Sequence, residues 1–141
     1  MPGAANVIPG KAVFSIDIRS VSAEDKDELV RLLREEVKRI QERRGVAAEL
    51  LMQNNDRPYR CPERLQQLLR AEADAAGIPA MDIISGPYHD SLMLGDITDA
   101  GMIFIPCRDG ISHDRAEAIR IEDLAAGTDV LAGALEKLGK E

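Results

Sequence analysis

Gly101-Met102-Ile103-Phe104-Ile105-Pro106 contains no polar side chain. A run this short and apolar, entered at a glycine and left at a proline, reads as a strand buried on both faces. Upstream, residues 81–85 (Met-Asp-Ile-Ile-Ser) read as a second short strand. Helical patterns lie on either side. Leu65, Leu68, Leu69 and Ala73 share one helical face, opened by Pro62 and stopped at Gly77. Asp90 or Ser91 can cap a short helix that ends at Leu94, and Leu124, Leu131, Leu135 and Leu138 mark a last helix over residues 121–138. Helix, strand, helix, strand, helix predicts an α/β layer with parallel strands.

The first third of the chain is organised differently. In residues 11–20 (Lys-Ala-Val-Phe-Ser-Ile-Asp-Ile-Arg-Ser), Phe14, Ile16 and Ile18 alternate with Ser15, Asp17 and Arg19. That period of two predicts a strand with one apolar and one polar face. A long helix over residues 22–44 follows, with Ser22 as its cap and Gly45 as its stop. Its apolar stripe is Leu29, Leu33, Val37 and Ile40, and pairs such as Asp27–Arg31 and Glu35–Arg39 lace its polar side. Residues 46–52 read as another strand. The polar stretch 53–61, which contains Pro58, reads as a linker between two units.

Composition narrows the function classes. Eighteen Lys and Arg against 25 Asp and Glu give a net charge of −7, and aromatics are only 3% of residues. Nucleic-acid binders need a basic face and often stacking rings, so that class is excluded, and anionic membrane surfaces are disfavoured on the same ground. No apolar stretch approaches bilayer length, and no basic start with an apolar run suggests a signal peptide. Cys61 and Cys107 form no CxxC and read as free thiols in a reducing cytoplasm. At 141 residues the chain is one domain in size and long enough to bury about 68–70% of its unfolded surface.

Taken one by one, the polar residues argue little. His89 and His113 each sit in a loop after a predicted strand, where open α/β sheets place ligands, so both are expected at one edge of the second unit. Each can equally cap a turn or face water, and no HxH or HxxxH accompanies them. Arg19 can simply pair with Asp17, and Asn6 can be a turn residue before Pro9-Gly10. Glu35-Glu36 lies on a solvated helix face, and Cys107 has no base beside it.

Their order is more telling. Asn6-Val-Ile-Pro-Gly10, then Phe14-Ser-Ile-Asp-Ile-Arg19, then Ser85-Gly-Pro-Tyr-His89-Asp90, then Gly101-Met-Ile-Phe-Ile-Pro106, then Asp109-Gly-Ile-Ser-His113 resembles the zinc-dependent amidases of the hydantoinase/carbamoylase type. These include N-carbamoyl-L-amino-acid hydrolases, allantoate amidohydrolases and β-ureidopropionases, and they are similar to the dinuclear-zinc peptidases. The resemblance covers nearly the whole chain. It implies residues 1–58 as the second half of a lid or dimerisation domain, with antiparallel strands plus a helix. Residues 59–141 are then the C-terminal part of an α/β zinc-hydrolase catalytic domain. His113 matches a metal ligand. His89 matches a catalytic, substrate-binding histidine that orients the scissile group, and Asn6 and Arg19 match lid residues that hold the substrate carboxylate. Zinc is the implied metal, with Mn, Co and Ni as alternatives. The partners implied are a small ureido or carbamoyl acid and a second copy of the chain in a homodimer.

The family's HxD motif, bridging Asp, Glu-Glu pair and further His ligand have no match here, so the chain resembles the C-terminal third of such an enzyme, lacking an N-terminal portion. Pro87-Tyr88 stands where the family is small and glycine-rich, which leaves the substrate subclass open. The competing reading is a non-catalytic module for dimerisation or for binding a small carboxylate.

Overall fold

The computed structural model describes residues 6–140. Four α-helices occur among them: α1 (Ala23–Arg44), α2 (Glu63–Ala75), α3 (Asp90–Leu94) and α4 (Ile121–Leu138), with a short 3-10 turn at Arg108–Gly110. No strand is formed among the described residues, which overturns the expected α/β class with its antiparallel lid strands and parallel catalytic strands. The physical reason is pairing. A strand exists through ladder hydrogen bonds to a neighbour, and residues 11–20, 46–52, 81–85 and 101–106 find no such neighbour in the described chain. Alternation specifies which face could be buried without supplying what buries it. Val13 and Phe14 accordingly remain 82% and 78% exposed.

The chain divides into two units, between Asn55 and Asp56. In the first, α1 forms where local signals agree. Ser22 accepts a hydrogen bond from the Asp25 amide at 3.1 Å, and Gly45 ends the helix in the left-handed region at φ 63°. The polar side is laced by ion pairs one turn apart. Arg31 takes both Glu28 and Glu35, so the expected Asp27 pairing gives way to the nearer glutamates. The Gln41 side chain donates to the Ala48 carbonyl at 2.9 Å and turns the chain back beside the helix end.

The second unit is built on the packing of α2 against α4. Its buried residues are Leu65 and Ala73 from α2, Val130 and Ala134 from α4, and Ala100. Glu72, little exposed at 11% of its side chain, pairs across the two helices with Lys137. The apolar run 101–106 lies over these helices with alternate sides. Gly101 approaches Leu65 and Leu69 of α2, and Ile103 and Ile105 approach Gly127 of α4. Met102 and Phe104 point the other way and are 40% and 46% exposed. One face of the run is therefore covered, not two as its apolarity suggested. Tyr59 fixes its entry: the phenol donates to the Ala100 carbonyl at 3.2 Å and accepts from the Ala100 amide at 2.9 Å.

Candidate functional site

Phe104, on the open side of the run, is where His89 sits. The two rings meet edge to face, with centroids 5.6 Å apart and an interplanar angle of 64°. His89 is the residue before α3, and its carbonyl accepts from the Leu92 amide at 2.9 Å, so its backbone is anchored by the helix start. Its imidazole Nε2 lies 2.6 Å from the Ser85 hydroxyl. Both residues are half-buried. Next to His89, the Tyr88 hydroxyl donates to Asp56 at 3.1 Å, and Ser91 of α3 contacts the Met102 sulfur. The histidine is thus held by Ser85 at Nε2 and by Phe104 against its ring.

His113 occupies a separate loop. Residues 107–118 are closed at the neck by Arg108, whose amide donates to the Ala118 carbonyl at 2.7 Å and whose guanidinium donates to the Ala116 carbonyl at 3.1 Å. Inside the loop, Asp109 at φ 57° and His113 at φ 61° adopt left-handed backbone that L-residues rarely use. The His113 amide is satisfied by the Glu117 carboxylate at 2.8 Å. Such backbone strain persists where surroundings impose it, and it concentrates at sites that do something. The imidazole is exposed. A cleft of about 450 Å³ opens at the loop's neck between residues 106–108 and 118–120, beside the Arg120–Asp123 ion pair. The Arg120 guanidinium hydrogen-bonded to Asp123 holds that carboxyl below its ordinary value. No hydrogen bond or ion pair joins His89 to His113 among the described residues.

Arg19 and Asn6 belong to the first unit. Arg19 grips Asp17 through Nε at 3.0 Å and Nη2 at 2.6 Å, a carboxylate in the planar fork of a guanidinium. That contact holds the Asp17 carboxyl below, and the Arg19 guanidinium above, its ordinary value. Asn6 is exposed in a turn. No group of three or more His, Cys, Asp or Glu is gathered as a metal site among the described residues. The donor set here does not by itself fit a metal ion, since even a catalytic zinc requires about three protein ligands. The sequence reading missed Ser85, Phe104 and Glu117. A serine four residues from a histidine in a loop has no periodicity to mark it, and the apolarity of residues 101–106 points Phe104 to a buried face. Glu117 carries no mark in the sequence because its carboxylate serves a backbone amide rather than a side chain.

Known proteins resemble this chain over most of its length. The model of peptidase family M20/M25/M40 matches residues 4–137. An N-carbamoyl-L-amino-acid amidohydrolase from Pseudomonas sp. (strain NS671) is 35% identical over 130 residues, covering 92% of this chain and 31% of that protein. A ureidoglycolate hydrolase from Oryza sativa subsp. japonica is 34% identical over 138 residues, covering 97% of this chain and 28% of that protein. Among solved structures, that of AtUAH in complex with glyoxylate superposes with a TM-score of 0.73 at 30% identity, covering 85% of this chain and 29% of that one. The chain therefore spans about a third of the length of the relatives it matches. No helix among the described residues is long and apolar enough to cross a membrane.

Proposed function

The chain belongs to peptidase family M20/M25/M40, and from that membership we propose that it forms part of a metal-dependent hydrolase of linear C–N bonds in N-carbamoyl amino acids or related ureido acids. The observation that carries this reading is the match across residues 4–137, supported by relatives named as carbamoyl-amino-acid and ureidoglycolate hydrolases. A solved relative complexed with glyoxylate, and again with (S)-hydroxyglycine, points to small polar acids as ligands.

In this reading residues 1–58 are the second half of a lid and dimerisation domain, and residues 59–141 the end of the catalytic domain. Arg19 offers its fork to the substrate carboxylate, and Asn6 adds an amide donor. In the structure that fork holds Asp17, so a substrate carboxylate would take the place of Asp17 on the guanidinium. His89 donates a hydrogen bond to a substrate oxygen. His113 is one ligand for a divalent metal, zinc first and Mn, Co or Ni as alternatives, with the remaining ligands supplied from outside these 141 residues. The protein acts as a homodimer in the cytoplasm.

The test is hydrolysis of an N-carbamoyl-L-amino acid, allantoate or ureidoglycolate with Zn²⁺ or Mn²⁺. The chain is assayed alone and after mixing with the N-terminal portion of a full-length relative. We expect silence alone, and turnover on mixing that His113→Ala removes. Loss of a positioned proton acceptor typically costs about 10²–10⁴-fold, and that group is sought in the added portion. Metal-dependent turnover by the 141 residues alone, abolished by His113→Ala, overturns the partial-enzyme reading. Silence in both arms, with a carboxylate still bound at Arg19, favours a non-catalytic binding or dimerisation module.

A further inference from the structure

We propose that Ser85 is a positioning residue for His89: its hydroxyl donates to Nε2, holds the imidazole in the tautomer that carries its proton on Nδ1, and so presents Nδ1–H to a ligand oxygen. The inference deepens the reading of His89 as a substrate contact and rests on it.

The geometry begins with the 2.6 Å separation between the Ser85 hydroxyl and Nε2. In a neutral imidazole one nitrogen donates and the other accepts, and the bond made by one fixes the role of the other. Two arrangements satisfy the distance. If Nε2–H donates to the serine oxygen, the ring's only proton is spent inside the protein. Nδ1 is then a bare lone pair, which repels a carbonyl or carboxylate oxygen. If the serine hydroxyl donates to Nε2, the proton sits on Nδ1, which is then a donor. Only the second arrangement suits a residue that binds an oxygen-rich acid while neutral. Among the described residues Nδ1 has no hydrogen-bond partner, so it is the nitrogen left for a ligand.

The surroundings restrict the ring further. The edge-to-face contact with Phe104 limits rotation about the side chain, and the Leu92 amide bonded to the His89 carbonyl limits movement of the backbone. A serine hydroxyl, free to rotate about one bond, can then aim its single proton at Nε2. Ser85 is half-buried, which shields this bond partly from competing water.

The experiment is a long-range ¹H–¹⁵N spectrum of the 141-residue chain labelled at histidine, at pH about 8.5, two units above the ordinary histidine value. The His113→Asn variant leaves His89 as the one histidine observed. Wild-type Ser85 should give a single tautomer with Nδ1 protonated and Nε2 bare. Ser85→Ala should lose it, giving averaged nitrogen shifts from both tautomers, and Ser85→Thr should restore it, since threonine keeps the hydroxyl. A protonated Nε2 in the Ser85 protein overturns the proposal, whether or not the alanine variant folds. So does a folded Ser85→Ala protein with an unchanged single-tautomer spectrum. No substrate enters the measurement, so failure here leaves the hydrolase reading standing, and failure of the hydrolysis assay leaves this result standing.

Discussion

The histidine at φ 61° has an energetic signature that separates it from an ordinary loop residue. Left-handed backbone costs an L-residue about 1–2 kcal/mol, which glycine does not incur. His113→Gly should therefore hold or raise stability, by up to about 1 kcal/mol after the entropy that glycine adds to the unfolded chain. Urea unfolding checks this, and a clear loss would mean that the imidazole is a structural prop. The Asp17–Arg19 pair makes a second prediction. Because Arg19 holds the Asp17 carboxyl below 3.8, the pair's contribution is complete above that value and disappears as pH falls through the lowered one. In a carboxyl ¹³C titration Arg19→Gln should move the Asp17 midpoint upward, and an unchanged midpoint would sink the pairing. Cys61 should react slowly with thiol reagents at neutral pH, since burial first, then the charges of Asp99 and Asp82, push its thiol up. A rate equal to that of a small free thiol would contradict this. At this scale the sequence was legible wherever the cause is local. Ser22 caps and Gly45 stops because their partners lie within a turn. The left-handed geometry of His113 was not legible, because it is imposed by Arg108 and Glu117 closing the loop around it.

Helices were readable as elements and strands were not, for one reason. A helix satisfies its backbone internally, so periodicity and caps suffice, and α4 spans Ile121–Leu138 as its leucine spacing predicted. A strand takes its hydrogen bonds from elsewhere, so Phe14, Ile16 and Ile18 could announce an alternation but not provide a neighbour. Two glycines in α4 show how packing against other segments decides the sign of a substitution. Gly→Ala inside a helix normally gains about 1 kcal/mol. At Gly127 the new methyl would lie 2.5 Å from the Ile105 Cγ2, a branched side chain wedged between the run and the helix. Overpacking of that kind costs about 1–3 kcal/mol, so Gly127→Ala should be net destabilising by about 1 kcal/mol. At Gly133 the methyl meets the far end of the flexible Glu72 side chain, which can swing aside, although Lys137 then loses part of its ion pair. Gly133→Ala should stay within about 0.5 kcal/mol of the parent. Thermal unfolding of both variants decides, and the opposite ranking would mean that the run does not rest on α4 as described.

At the scale of the whole molecule, many large apolar side chains meet water rather than a partner. Ile8, Val13, Phe14, Met81 and Ile84 are each more than three-quarters exposed. The isolated chain should consequently self-associate, with sedimentation becoming faster as concentration rises through the micromolar range and with strong binding of a hydrophobic dye. A concentration-independent monomer that ignores the dye would contradict this. Length and composition suggested a complete core because they count apolar residues without knowing where their partners reside. The bond between Tyr59 and both backbone groups of Ala100 provides an optical handle on the same question. The chain has no tryptophan and only two tyrosines, so its near-ultraviolet dichroism comes largely from two phenols. One of them is locked against a peptide unit 41 positions away in sequence. The Tyr59 part of that band therefore reports, without any label, whether the second unit has closed on itself, and Tyr59→Phe should remove that part while leaving the Tyr88 contribution and the helical far-ultraviolet signal in place.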